Sequence, residues 1–110
     1  QSSGIFTFPS TGIYLVTALV WFEPTSASSG VSLFIKGTTD NSSYADLAKI
    51  TTGSSGSNRP EVITANAMFD VTDVSTHKIK FATNGGTYIT YLASNTSNHN
   101  DFTFHKLGET

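Results

Sequence analysis

A chain of 110 residues with six Lys and Arg against eight Asp and Glu, a formal net charge of −2, is one domain's worth of sequence, 1–110. Cysteine is absent, which excludes a disulfide framework and a thiolate metal site; no basic stripe points to nucleic acid, and no apolar run reaches the roughly 18 residues of a membrane span. Ser, Thr, Asn and Gly make up 48 of the residues, yet eight Phe, four Tyr and one Trp are too many aromatics for a disordered chain and suit an all-β domain with polar loops.

Gly4–Phe8 reads as a short strand that runs into the turn Pro9-Ser-Thr-Gly12. A start almost inside the first strand suggests a piece of a longer protein. Ile13–Phe22 is a long strand, apolar on both faces. Ile13, Leu15, Leu19 and Trp21 share one parity; Tyr14, Val16, Ala18, Val20 and Phe22 share the other. An antiparallel sheet normally keeps one face wet. One of these faces can pack the domain's own core, and the other requires a second cover, which points to a partner chain.

Glu23–Gly30 reads as a Ser-rich loop. Val31–Lys36 alternates Val31, Leu33 and Ile35 against Ser32, Phe34 and Lys36, and Gly37–Ser43 is polar. Tyr44–Thr51 is ambiguous: Leu47 and Ile50 fit a helical turn, Ala45 and Leu47 fit a strand, and a short strand is the reading taken. Thr52–Pro60 is a Gly/Ser-rich loop. Glu61–Val71 sets Ile63, Ala65, Ala67, Phe69 and Val71 on one parity. Asp73–Thr76 is a turn, and His77–Thr83 alternates Ile79 and Phe81 with Lys78 and Lys80. Asn84-Gly85-Gly86 signals a hairpin. Thr87–Ala93 is a strand, Ser94–Asn100 a loop and Asp101–Leu107 the last strand. About eight short strands with no helix are the signature of an antiparallel sandwich or jelly roll.

Gly4-x-Phe6-x-x-Pro9-x-x-Gly12-x-Tyr14 followed by an apolar strand resembles the opening motif of the C1q/TNF-like jelly roll. Val31-Ser-Leu-Phe-Ile-Lys-Gly37 and Phe102-Thr-Phe-His-Lys-Leu107 continue the likeness over most of the chain. It departs in two places. The family's usual first strand is expected before Gln1, and Ser75-Thr76-His77 replaces a common Gly-Asp. The resemblance implies an all-β, antiparallel two-sheet jelly-roll sandwich that forms a homotrimer. It further implies that Tyr14, Val16, Ala18, Val20 and Phe22 fill the core with Phe102 and Phe104. Ile13, Leu15, Thr17, Leu19, Thr103, His105 and Leu107 then meet neighbouring chains.

No catalytic set stands out. There is no GxSxG elbow and no paired carboxylate motif, so the chain reads as non-enzymatic, with no cofactor. Asp40-Asn41, Asp70-Val-Thr-Asp73 and His99-Asn100-Asp101 offer oxygens, but no spacing of a calcium loop, and no metal site is assigned. Asn41-Ser-Ser43 and Asn95-Thr-Ser97 match the glycosylation sequon. Trp21, Tyr44, Tyr88 and Tyr91 read as core aromatics, with Tyr44 the best placed for sugar stacking. The loops are the expected ligand contacts, through Ser29, Thr39, Asp40, Asn41, Tyr44, Asn58, Arg59, Asn95 and His99. The expectation is a trimerising recognition head, extracellular, on a virion or cell surface, such as a phage tail fibre or capsid appendage that binds a host receptor or glycan. It has no nucleic-acid partner and inserts no segment into a membrane. The alternatives are a secreted or spore-surface head on a collagen-like stalk, or a TNF-type signalling ligand.

Overall fold

The computed structural model describes residues 4–24, 31–52, 61–84, 88–90 and 100–110. Among these the chain forms eight strands: β1 (Ile5–Phe6), β2 (Gly12–Pro24), β3 (Val31–Thr38), β4 (Ala45–Thr52), β5 (Glu61–Val71), β6 (Lys78–Asn84), β7 (Tyr88–Thr90) and β8 (Asn100–Gly108). The ambiguous Tyr44–Thr51 segment is the strand β4. Two segments read as loops are partly strand: β2 continues through Glu23 and Pro24, and β3 continues through Gly37 and Thr38. Both continuations find ladder partners, Ile89 and Tyr88 on β7 for the first, Ile79 and Lys78 on β6 for the second. Backbone pairing thus outweighs the turn propensity of Pro24 and Gly37. Conversely, β1 keeps only two of the five residues read as strand, and β6 starts one residue late because His77 closes a turn.

The strands make two antiparallel sheets, compatible with a β-sandwich. The first has the order β1-β6-β3-β4. In the second, β5 lies along one edge of β2 over Gly12–Phe22. The other edge of β2 is shared end to end: β8 covers Ile13–Val20 and β7 covers Phe22–Pro24.

Between the sheets lie Phe8, Tyr14, Val16, Ala18, Val20, Leu33, Ile35, Ile63, Ala65, Phe69, Val71 and Ile79, all buried. On β3, β5 and β6 these are the apolar parities of the alternation; on β2, where both parities are apolar, the buried set is Tyr14, Val16, Ala18 and Val20, the one the resemblance implies. The side chains of Trp21 and Phe22 lie outside the described residues. Rings fasten one side of the sandwich. Phe81 of β6 stacks on Phe102 of β8 at 4.3 Å, and Phe6 of β1 meets Phe104 of β8 at 5.3 Å. Phe8 bridges to Tyr14 at 4.7 Å and to Phe104 at 5.6 Å. The Tyr14 hydroxyl donates to the Ser10 carbonyl at 2.9 Å, so its polar end is satisfied at the rim.

Two glycines are dictated by close approach. Gly12 has φ 153°, and a Cβ there would stand 2.7 Å from the Gly108 carbonyl oxygen. Gly37 is buried on the inner face of β3; a Cβ would meet Leu47 Cδ1 at 2.7 Å and Phe69 Cε1 at 3.1 Å.

Candidate functional site

Two surfaces carry the residues singled out from the sequence: the outer face of the β5-β2-β8 sheet, and the loop between β3 and β4. The first is built by register. Ladder rows place Leu15 between Met68 of β5 and His105 of β8. The next row sets Thr17 between Asn66 and Thr103, and the one after sets Leu19 between Thr64 and Asp101. Ile13 pairs with Asp70 and Gly108 at the near end. The expected contact residues Ile13, Leu15, Thr17, Leu19, Thr103 and His105 therefore share one sheet face, opposite the core.

Ile13, Leu15 and Leu19 are half-buried along the middle strand, while Thr103 and His105 are exposed. Leu107 is the extra residue of a bulge at the Ile13/Tyr14 step, so alternation alone does not fix its face; it is 51% exposed. Two further apolar side chains join this surface that the sequence reading missed. Met68 is 63% exposed beside Leu15, and Val62 is 56% exposed in the row of Trp21. Their parity on β5 is otherwise Thr64, Asn66 and Asp70, so it reads as a wet face. Only the register shows that Met68 extends the apolar stripe of β2.

The β3–β4 loop is organised by one carboxylate. Asp40 Oδ1 accepts from the Ser43 amide at 2.8 Å, the Thr38 hydroxyl at 2.8 Å and the Ser42 amide at 2.9 Å. Thr38 is buried under the loop and its hydroxyl also accepts from the Asp40 and Ser42 amides at 3.3 Å. Asn41 takes the left-handed conformation at φ 61°, which asparagine tolerates. Thr39, Asp40 and Asn41 are exposed, so the loop presents itself to solvent with Asp40 spent on its own backbone. Tyr44 is half-buried, and Lys80 Nζ stands 4.1 Å from its ring centroid, so one face already holds a cation. Ser29, Asn58, Arg59, Asn95 and His99 lie outside the described residues, as does Tyr91; Trp21 and Tyr88 are described by backbone alone.

The Ser43 amide, with the Thr38 hydroxyl and Ser42 amide behind it, holds the Asp40 carboxyl below its ordinary value of 3.8. A depressed folded value contributes stability that is complete above the unfolded value and lost as pH falls through the folded one. Expected in an acid titration: the Ser42 and Ser43 amide proton shifts move together, with a midpoint below 3.8. A midpoint at or above that value contradicts the loop geometry.

The β5–β6 turn repeats the device. Asp73 Oδ1 accepts from the Ser75 hydroxyl at 2.6 Å and its amide at 2.9 Å, which lowers its carboxyl as well. His77, missed as a buried group because it reads as the start of a strand, is enclosed here. Its ring nitrogens meet the hydroxyls of Thr72 at 3.2 Å and Thr76 at 3.0 Å, and the ring lies 5.7 Å from Phe69. This is a structural histidine in a satisfied turn. Among the described residues, no group of three His, Asp or Glu side chains gathers as metal ligands would.

No protein-family model matches this chain, and no curated protein matches it at a significant level.

Proposed function

We propose that the chain is a trimerising recognition head built as a C1q/TNF-like jelly roll and carried on a virion or cell-surface protein. The observation that carries this reading is the outer face of the β5-β2-β8 sheet, where Ile13, Leu15, Leu19, Met68 and Val62 set apolar side chains where a solvated sheet alternates to polar ones. Leu15 and Met68 adjoin in one ladder row and Ile13 lies in the neighbouring one, while the polar Asn66-Thr17-Thr103 row separates them from Leu19; exposed apolar side chains grouped on one sheet face are what interfaces bury. Burial of a Leu-sized side chain contributes about 1.5–3 kcal/mol, so a few per chain, counted at three contacts, suffice for a permanent assembly.

The strand order supports the jelly roll. The pairs β3–β4, β2–β5 and β1–β6 are nested one inside another, as when one long antiparallel ribbon folds over on itself. The pair β2–β8 follows the same winding. With β7 and β8 counted as one position, since they share one edge of β2, a strand preceding β1 and laid along the other edge of β8 would complete an eight-position roll; among the described residues no strand occupies that edge. The resemblance leads to the same strand, upstream of Gln1.

With the β5-β2-β8 sheet turned to a three-fold axis, the β3–β4 loop and the other sheet remain free for recognition. The reading assigns no chemistry to the domain. Light scattering tests it directly: three copies of the 11.7 kDa chain weigh about 35 kDa. A particle near the mass of one chain removes the assembly and, with it, this function.

A further inference from the structure

The outer face of the β1-β6-β3-β4 sheet gathers four of the chain's six Lys and Arg residues, Lys36, Lys49, Lys78 and Lys80, from three different strands. Register sets Lys36 directly opposite Lys80, with Asp46 on its other side. Lys49 faces Phe34 in the adjoining row, and Lys78 faces Thr38. Like charges directly opposite on neighbouring strands are destabilising, so this placement costs the fold something. Local neighbours offset part of it. Lys36 Nζ lies 2.6 Å from the Asp46 carboxylate, and the Phe34 ring holds two ammoniums, Lys36 at 4.9 Å and Lys49 at 5.3 Å from its centroid. Tyr44 holds Lys80. Asp73 acts on Lys78 through its charge, and Asp40 is committed to its own loop. Among the described residues, no carboxylate lies within ion-pair distance of Lys49 or Lys80.

We infer that this face binds an acidic polysaccharide whose sulfate or carboxylate groups bridge Lys36, Lys49 and Lys80. The cations are all lysines, mobile point charges suited to anions spaced along a chain; the planar forks of arginine that favour nucleic-acid phosphates are missing from the face. Phe34 and Tyr44 already carry ammoniums over their rings, where single-stranded nucleic acid needs open aromatic faces for its bases. Beyond Lys49 the face continues as hydroxyls, with Ser32 Oγ and Thr51 Oγ1 2.8 Å apart, which matches sugar and gives no apolar wedge for a bilayer. The inference concerns the sheet opposite the assembly face and does not depend on the trimer; on a trimer, three such faces would point outward and add avidity.

Heparin serves as the probe, with duplex DNA and phosphatidylserine vesicles as the competing arms, and light scattering records the mass separately. Three ammonium–anion contacts give roughly a 20–40-fold loss of affinity between 50 and 200 mM salt by counterion release. The Lys49→Gln/Lys80→Gln variant leaves one contact and a loss of roughly threefold over the same range. Asp46→Asn tightens binding, since it removes the one acid beside Lys36, and Lys106→Gln on β8 changes nothing. An unchanged salt dependence in the double variant overturns the inference. So does weaker binding by Asp46→Asn, or tighter binding to DNA or to vesicles than to heparin.

Discussion

Leu15→Asp is expected to convert the proposed trimer to monomers, while Thr39→Asp leaves it whole. Leu15 lies midway along β2, between Met68 and His105, on the face that the proposed assembly buries. A carboxylate there must either be desolvated or hold the chains apart, at a cost of several kcal/mol. The proposed three-fold arrangement would bring three such charges close together, and their repulsion would add to that cost. Thr39 sits in the exposed β3–β4 loop, at the end of the other sheet, where a carboxylate stays hydrated. The monomer fold should survive Leu15→Asp, because the core of β2 is carried by Tyr14, Val16, Ala18 and Val20 on the opposite parity. Met68→Lys guards against a folding artefact. At 63% exposure in the single chain it costs the monomer little, yet it places a charge in the same row as Leu15. Light scattering reads all three variants. Equal masses for Leu15→Asp and Thr39→Asp refute the assignment of faces, and a trimeric Met68→Lys removes β5 from the contact.

The inward face of this sandwich was legible wherever the period of two is unbroken. Leu33 and Ile35, Ile63 through Val71, and Ile79 and Phe81 all point where alternation puts them. Segment β4 was ambiguous for a physical reason. A bulge at the Ile35/Lys36 step moves the pairing from Ala48 to Asp46 and leaves Leu47 as the extra residue. Asp46 then reaches Lys36 on the outer face, while Ala48 and Ile50 oppose the inward Ile35 and Leu33, and Leu47 fills the space above Gly37. Leu47, Ala48 and Ile50 fit no single strand parity, which is why a helical turn competed. The candidate surfaces were legible to different degrees. The stripe on β2 shows in one segment because both of its parities are apolar. Met68 and the lysine face do not show, since each depends on residues brought side by side only by strand register. The absence of a basic run in the sequence was real, yet three strands assemble a basic face from scattered lysines.

Phe81→Ala and Phe34→Ala make the second large prediction, since they delete the same ring from opposite faces of the same sheet. Phe81 points inward from β6, stacked on Phe102 at 4.3 Å and edge-on to Phe6 at 5.4 Å. It thereby ties the β1-β6-β3-β4 sheet to β8 across the sandwich. Its removal forfeits the transfer energy of the ring, leaves a void between Phe6, Phe102 and Phe104, and breaks aromatic pairs worth about 0.5–1.5 kcal/mol each beyond their area. A loss of about 3–5 kcal/mol is expected. That is a large share of the roughly 5–15 kcal/mol that holds a domain together, and it lowers the melting temperature by roughly 15–30 °C for a domain of this size. Phe34 points outward from β3 and, among the described residues, its ring contacts are two ammoniums, each worth about 0.5–1 kcal/mol at an exposed site. Phe34→Ala should therefore cost about 1–2 kcal/mol. Both melts are compared at one protein concentration, because an assembling chain gains stability by mass action. A Phe34→Ala variant as damaged as Phe81→Ala would reverse the inner and outer faces of this sheet, and the lysine surface would go with them, since Lys36, Lys80 and Phe34 share one parity. The expected order, with the inward ring worth clearly more than the outward one, tests the geometry on which both binding surfaces rest.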